Sequence, residues 1–210
     1  MKGLETLKIR ITLTEEMLGT ASGNPDLHRE YIASKAPDAE RKEEEVARLG
    51  VDAAAEKQMT VFPRSEDGKP FLWDYQVKGF FKDACGMLRN VPGTQSAALT
   101  SYKKKIDGLI FIKERQIPIV FEGEVGNCQS SLRAATPQGE RIALAESETV
   151  PAGSVLELTI LTHDKKYLPA IREWLDYGEL RGLGCWRNSG KGTFLWEEIA
   201  YWEEVEEQEH

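Results

Sequence analysis

Apolar and polar residues alternate over residues 7–14, LKIRITLT, so Leu7, Ile9, Ile11 and Leu13 share one face and the pattern predicts a half-buried strand. The same period returns over residues 154–162, SVLELTILT, and predicts a long central strand entered through the turn Pro151-Ala152-Gly153. Between the two, the period lengthens. Tyr75, Val77, Phe80, Phe81, Ala84, Met87 and Leu88 recur at helical spacing, which predicts a helix from Trp73 to Arg89 with Asp74 as its N-cap. Residues 166–177, KYLPAIREWLDY, predict a second helix. Residues 193–202, TFLWEEIAYW, predict a closing strand with Phe194, Trp196, Ile199 and Tyr201 turned inward.

Shorter strands are expected over residues 60–63, at the end of residues 102–113, over residues 117–121 and over residues 141–145. Pro118 places the third of these at a sheet edge, because proline lacks the amide a central strand must donate. Pro137-Gln138-Gly139 reads as a hairpin turn, Asp67-Gly68 as a tight turn, and residues 18–25, 90–99 and 122–131 as turns or loops. Residues 26–59 are charged and helical in character, with opposite charges four apart in RKEEEVAR. Taken in order, the elements predict an α+β fold with a ferredoxin-like antiparallel sheet, β-α-β-β-α-β, and its helices on one face. A helical insertion is expected at about residues 22–58 after the first strand, within one domain over residues 1–202, followed by an acidic tail at residues 203–210.

Composition narrows the function classes. The chain has 210 residues, of which 40% are hydrophobic and 30% charged, as suits a single globular unit. No apolar run is long enough to cross a bilayer, and the first residues lack a signal-peptide pattern. Cys85, Cys128 and Cys185 are too far apart for a zinc spacing or a disulfide framework, so a cytoplasmic location is expected. With three histidines in all, a multi-histidine metal site is not expected, and neither is a cofactor. Net charge is −8, which argues against indiscriminate nucleic-acid binding. Seven glutamates crowd residues 197–209, however, while arginine and lysine gather at residues 78–89, 103–105 and 181–191, so a local basic face is expected on an acidic protein.

Candidate chemistry concentrates in residues 177–194, YGELRGLGCWRNSGKGTF. Gly182, Gly184, Gly190 and Gly192 form two G-x-G pairs separated by five residues, a pattern that allows positive φ and close backbone approach. Arg187 and Lys191 add charge, Asn188 adds hydrogen-bonding groups, and Trp186 offers a stacking face. The loop leaves a predicted helix and enters a predicted strand, the reverse of a dinucleotide fingerprint, and it lacks the G-K-[ST] of a P-loop. A second group, His28, Tyr31 and Lys35, falls at helical spacing in the insertion. It reads either as the polar face of a solvated helix or as the acid, base and charge stabiliser of a metal-independent ribonuclease.

Three separated features resemble one family. The G-x-G-x(5)-G-x-G at Gly182–Gly192, the segment GKPFLWDYQVKGFFKDA at residues 68–84 and the strand SETVPAGSVLELTI at residues 147–160 are similar, in this order and over about two thirds of the chain, to the RAMP superfamily, the repeat-associated proteins of CRISPR systems. The family's usual small Ser-Leu before Lys-Gly is replaced here by Gln76-Val77. The chain also resembles proteins of bacteriophages and prophages of Gram-positive bacteria. The resemblance implies a ferredoxin-like RNA-recognition fold that binds RNA by backbone and shape. It implies a non-catalytic partner of RNA or of a CRISPR ribonucleoprotein, acting in the host cytoplasm as a mimic or anti-CRISPR. Two other readings stand beside it: an RNA-processing RAMP endonuclease using His28, Tyr31 and Lys35, and a structural partner of another phage protein. The binding residues expected from it are Lys78 and Lys82 with Gly182, Gly184, Trp186, Arg187, Asn188, Gly190, Lys191 and Gly192.

Overall fold

Residues 4–22, 59–136 and 139–199 are described by the structure, a computed structural model. Its first half holds β1 (Glu5–Leu13), β2 (Met17–Leu18), β3 (Ala21–Ser22), β4 (Met59–Val61), β5 (Phe71–Trp73) and the helix α1 (Asp74–Leu88). There follow a short helix α2 (Tyr102–Leu109), β6 (Ile110–Ile112), β7 (Gln116–Pro118), β8 (Gly126–Thr136) and β9 (Gly139–Val150). The chain then forms β10 (Val155–Thr162), the helix α3 (Leu168–Arg181) and β11 (Phe194–Glu198).

The main sheet has the order β11-β1-β10-β6, antiparallel throughout. With α1 before β6 and α3 before β11, this is the ferredoxin-like α+β fold. The period-two pattern of β1 explains its place. Leu7, Ile9, Ile11 and Leu13 are all buried, opposite Leu156, Leu158 and Ile160 of β10, so one face of the sheet is apolar along its length. Two helices cover that face, α1 with Val77, Phe80, Phe81 and Ala84 and α3 with Ile171, Trp174 and Leu175. Phe194 follows the alternation of β11 inward, and its ring packs edge-on against Phe80 with centroids 5.5 Å apart. Gly178 makes that possible: a Cβ there would lie 2.0 Å from the Phe194 ring. The indole of Trp174 is fully buried and donates to Ser96 Oγ at 2.9 Å.

A second sheet, β2-β9-β4-β3 with β8 paired along β9, rises from the end of β1. The hairpin expected at residues 137–139 is present in the register, with Thr136 opposite Gly139. Its first strand runs back to Gly126, through residues whose polar composition reads as loop. Pairing with β9, a tertiary fact, outweighs weak local propensity there. Residues 18–25 likewise contribute β2 and β3, because Met17 and Leu18 pair with Val150 and Thr149 and are fully buried. The Pro118 strand pairs only with β5, consistent with an edge. At the start of α1, the N-cap position is Trp73 and not Asp74; the Asp74 carboxylate instead accepts from Arg115, while the Trp73 amide donates to Gln76 Oε1 at 2.8 Å. Most of the insertion expected at residues 22–58 and the whole acidic tail at residues 203–210 lie outside the described residues, as do His28, Tyr31 and Lys35.

Candidate functional site

The glycine-rich segment leaves α3 four residues later than its composition suggests, because Gly178 to Arg181 remain helical. Gly182 ends the helix at φ +73°, and Gly184, Gly190 and Gly192 also have positive φ. Three of the four glycines are required by close approach inside the protein. A Cβ on Gly192 would lie 2.0 Å from the Leu183 carbonyl oxygen, one on Gly182 2.5 Å from the Lys191 carbonyl oxygen, and one on Gly184 2.8 Å from the Leu18 carbonyl oxygen. The first two pin the ends of the loop together, with the Leu183 amide donating to Gly192 O at 2.8 Å. The Gly192 amide donates to Glu16 O at 2.9 Å and so fastens the loop to the turn after β1. Gly190, by contrast, has nothing within 4 Å of its Cβ position.

The tip of the loop is a single 3₁₀ turn over Arg187–Ser189, entered through Trp186 at φ +54°. A left-handed tryptophan is unusual, since its Cβ crowds the following carbonyl. Its indole is half-buried, whereas Asn188 and Ser189 are exposed.

Loop and α1 meet at one carboxylate. Arg181 Nε donates to Asp83 Oδ2 at 2.8 Å, and Arg187 Nη1 donates to the same oxygen at 2.9 Å. Arg181 reaches on to Asn188 Oδ1. The bond to Asp83 raises the Arg181 pKa above its ordinary value, against the effect of burial. Beside this knot, Tyr75, Gln76 and Gly79 of α1, Thr20 and Ala21, and Leu183 to Cys185 and Arg187 enclose a hollow of about 310 Å³. Gln76 donates to Thr20 Oγ1 across its floor. Burial pushes the Cys185 thiol pKa up, so a neutral thiol faces this space.

The other basic residues expected here turn elsewhere. Lys82 pairs with Asp107 of α2 at 2.5 Å, and Lys78 Nζ donates to Asp107 O at 3.0 Å while lying 5.1 Å from the centre of the Phe111 ring. Desolvation lowers the Lys78 pKa. Lys191 points to Glu16, and that bond raises its pKa. The structure thus joins Arg187 and Asn188 to α1 through Asp83, sets Lys78 and Lys82 on the side of α1 that faces α2, and holds Lys191 against the turn after β1. The partners that organise the site, Asp83, Arg181, Glu16 and Gln76, were not singled out by the sequence reading. Asp83 was visible in principle, as the one acid within the basic run KGFFKDACGMLR. Among the described residues no group of three or more His, Cys, Asp or Glu could hold a metal ion, and no helix is long and apolar enough to cross a membrane.

Two solved structures carry the same arrangement of elements over nearly the whole chain. A chain of the Type III-B Cmr-beta complex bound to cognate target RNA superposes with a TM-score of 0.52 and 12% identity, over 93% of this chain and 61% of that one. A chain of a Type IV-B CRISPR complex superposes with a TM-score of 0.50 and 10% identity, over 93% of this chain and 91% of that one. The fold is RAMP-like. This chain therefore spans about three fifths of the Cmr-beta subunit and nearly all of the Type IV-B one. No family model matches the sequence, and no curated protein matches it. At such identities the likeness is one of fold, and the chemistry of a RAMP-like chain has to be argued from its own residues.

Proposed function

We propose that this RAMP-like protein binds RNA without cleaving it, and that it works on a CRISPR ribonucleoprotein by occupying or mimicking one of its subunits. The observation that carries the reading is the pairing of fold and loop. Both similar structures are CRISPR complexes, one of them bound to RNA, and the superposition takes in 93% of this chain. In the same chain, the glycine-rich loop presents Trp186, Arg187 and Asn188 beside a hollow formed with α1. Arg187 and Arg181 supply guanidinium groups suited to phosphate, and Trp186 supplies a ring on which a base can stack. Gly182, Gly184 and Gly192 shape the loop from within, and Lys191 sets its far side against Glu16.

Binding of a labelled single-stranded oligoribonucleotide, followed by fluorescence anisotropy against salt, tests the RNA half of the reading. Replacing Arg187 with Glu and Trp186 with Ala should each weaken binding, the second by about 1–3 kcal/mol if one base stacks there. The Arg187→Glu protein should also show a salt slope smaller by about 0.7. Variants that bind as well as the wild type would make the loop purely structural. The CRISPR half is tested by capture from cells carrying a Type III or Type IV system: recovery of the tagged protein with effector subunits is expected, and recovery with neither RNA nor such subunits contradicts it.

A further inference from the structure

We propose that the open face of the sheet, opposite α1 and α3, carries a second site that holds one nucleotide of single-stranded RNA; this rests on the RNA-binding reading above. The register arranges the open-face residues in rows. One row, Glu197–Arg10–Glu157, is closed on itself, since Arg10 donates to both neighbouring carboxylates at 2.7–3.0 Å. Further along β1 the face sinks into a hollow of about 510 Å³ bounded by Thr6, Lys8, Lys113, Thr159, Leu161 and Ile199. Leu161 forms apolar floor, and directly opposite it in the register lies Phe111, 37% exposed.

The charge of this hollow is positive. Its one lining carboxylate, Glu198, is bonded to Arg172 at 2.6 Å. The nearby carboxylate of Glu114 accepts the Thr159 amide at 2.7 Å. Lys8 and Lys113 remain as its cations, and Lys78 approaches over the Phe111 ring from the sheet edge. Lys113 is exposed, and no carboxylate among the described residues pairs with it, whereas Lys82, Arg187 and Lys191 each face an acid. An apolar floor between ammonium groups, with two threonine hydroxyls at the side, matches a base resting on hydrocarbon with its phosphate on a lysine. An acidic peptide would use the cations but leave the floor uncovered.

The test uses the full chain and a fluorescein-labelled 20-mer of uridylate, with a 4-thiouridine version for crosslinking. Lys113→Glu should weaken binding several-fold at low salt and reduce the salt slope by about 0.7. Crosslinks to the wild type should fall on β6 or β10 as well as on the glycine loop. If Lys113→Glu binds as tightly as the wild type and crosslinks fall on the loop alone, the second site is wrong and the loop reading stands. If the wild type binds no 20-mer, both fail. Displacement of the 20-mer from the Arg187→Glu protein by polyglutamate as readily as by unlabelled RNA would overturn the nucleotide assignment. Because Lys113 is exposed, the variant should melt as the wild type does, and the crosslinking arm needs no variant at all.

Discussion

At the scale of single residues, the four glycines of the loop do different jobs, and their substitutions should separate. Gly192→Ala would drive a Cβ to within 2.0 Å of the Leu183 carbonyl oxygen at a φ of +71°. Backbone strain and overpacking together should cost about 3 kcal/mol or more, a fall of roughly 6–12 °C in Tm for a chain of this size. Gly190→Ala meets no atom and bears only the left-handed backbone term, about 1 kcal/mol. Thermal melts of the two variants give the comparison, and equal losses would contradict the geometry. The positive φ values were legible in the sequence, because two G-x-G pairs have few other uses. Their purpose was not. The spacing reads as a cradle of amides for a ligand, yet the Leu183, Ser189, Gly190 and Gly192 amides are bonded within the protein, and the atoms that exclude a side chain belong to the loop itself and to residues far away in the chain.

At the scale of elements, α1 and the loop are tied by charge. Arg181 and Arg187 share the Asp83 carboxylate, so any phosphate at the loop competes with an internal acid. Asp83→Asn removes that competitor and should raise RNA affinity several-fold at low salt, an effect that fades as salt screens it; unchanged or weaker binding would indicate that Asp83 positions the arginines. The same substitution leaves two guanidinium groups repelling each other, and a small loss in Tm should accompany the gain. On the other side of the loop, the Lys191 pKa is raised by Glu16. A base with a raised folded-state pKa stabilises the protein fully below the ordinary lysine value, about 10.4, and loses that contribution as pH climbs through the raised value. Lys191→Met should therefore lower Tm slightly at neutral pH, by less than the equivalent of about 1 kcal/mol for a pair this open, and melt like the wild type at strongly alkaline pH. Helix positions were readable from apolar period alone. The sides on which Lys78 and Lys82 emerge were not, because α2, which supplies Asp107, is too short and too polar to announce itself.

At the scale of the whole molecule, the ferredoxin-like order was readable because β1, α1, β10, α3 and β11 each carry a clean period. The second sheet was not, since β2, β3 and β4 are two or three residues long and exist through pairing. The main sheet has one further consequence, for how the chain acquires its shape. β1 is flanked on both sides, by β10 and β11, and both partners come from the far end of the sequence. Emerging first from a ribosome, it has no strand to join until nearly every described residue has been made. Its row Leu7, Ile9, Ile11 and Leu13 must wait unpaired, a sticky ribbon in a half-made chain. Contacts so distant in sequence make for slow refolding. A chain cut before Phe194 should therefore stay soluble poorly, leaving β1 with a bare edge and Phe80 without the ring that covers it.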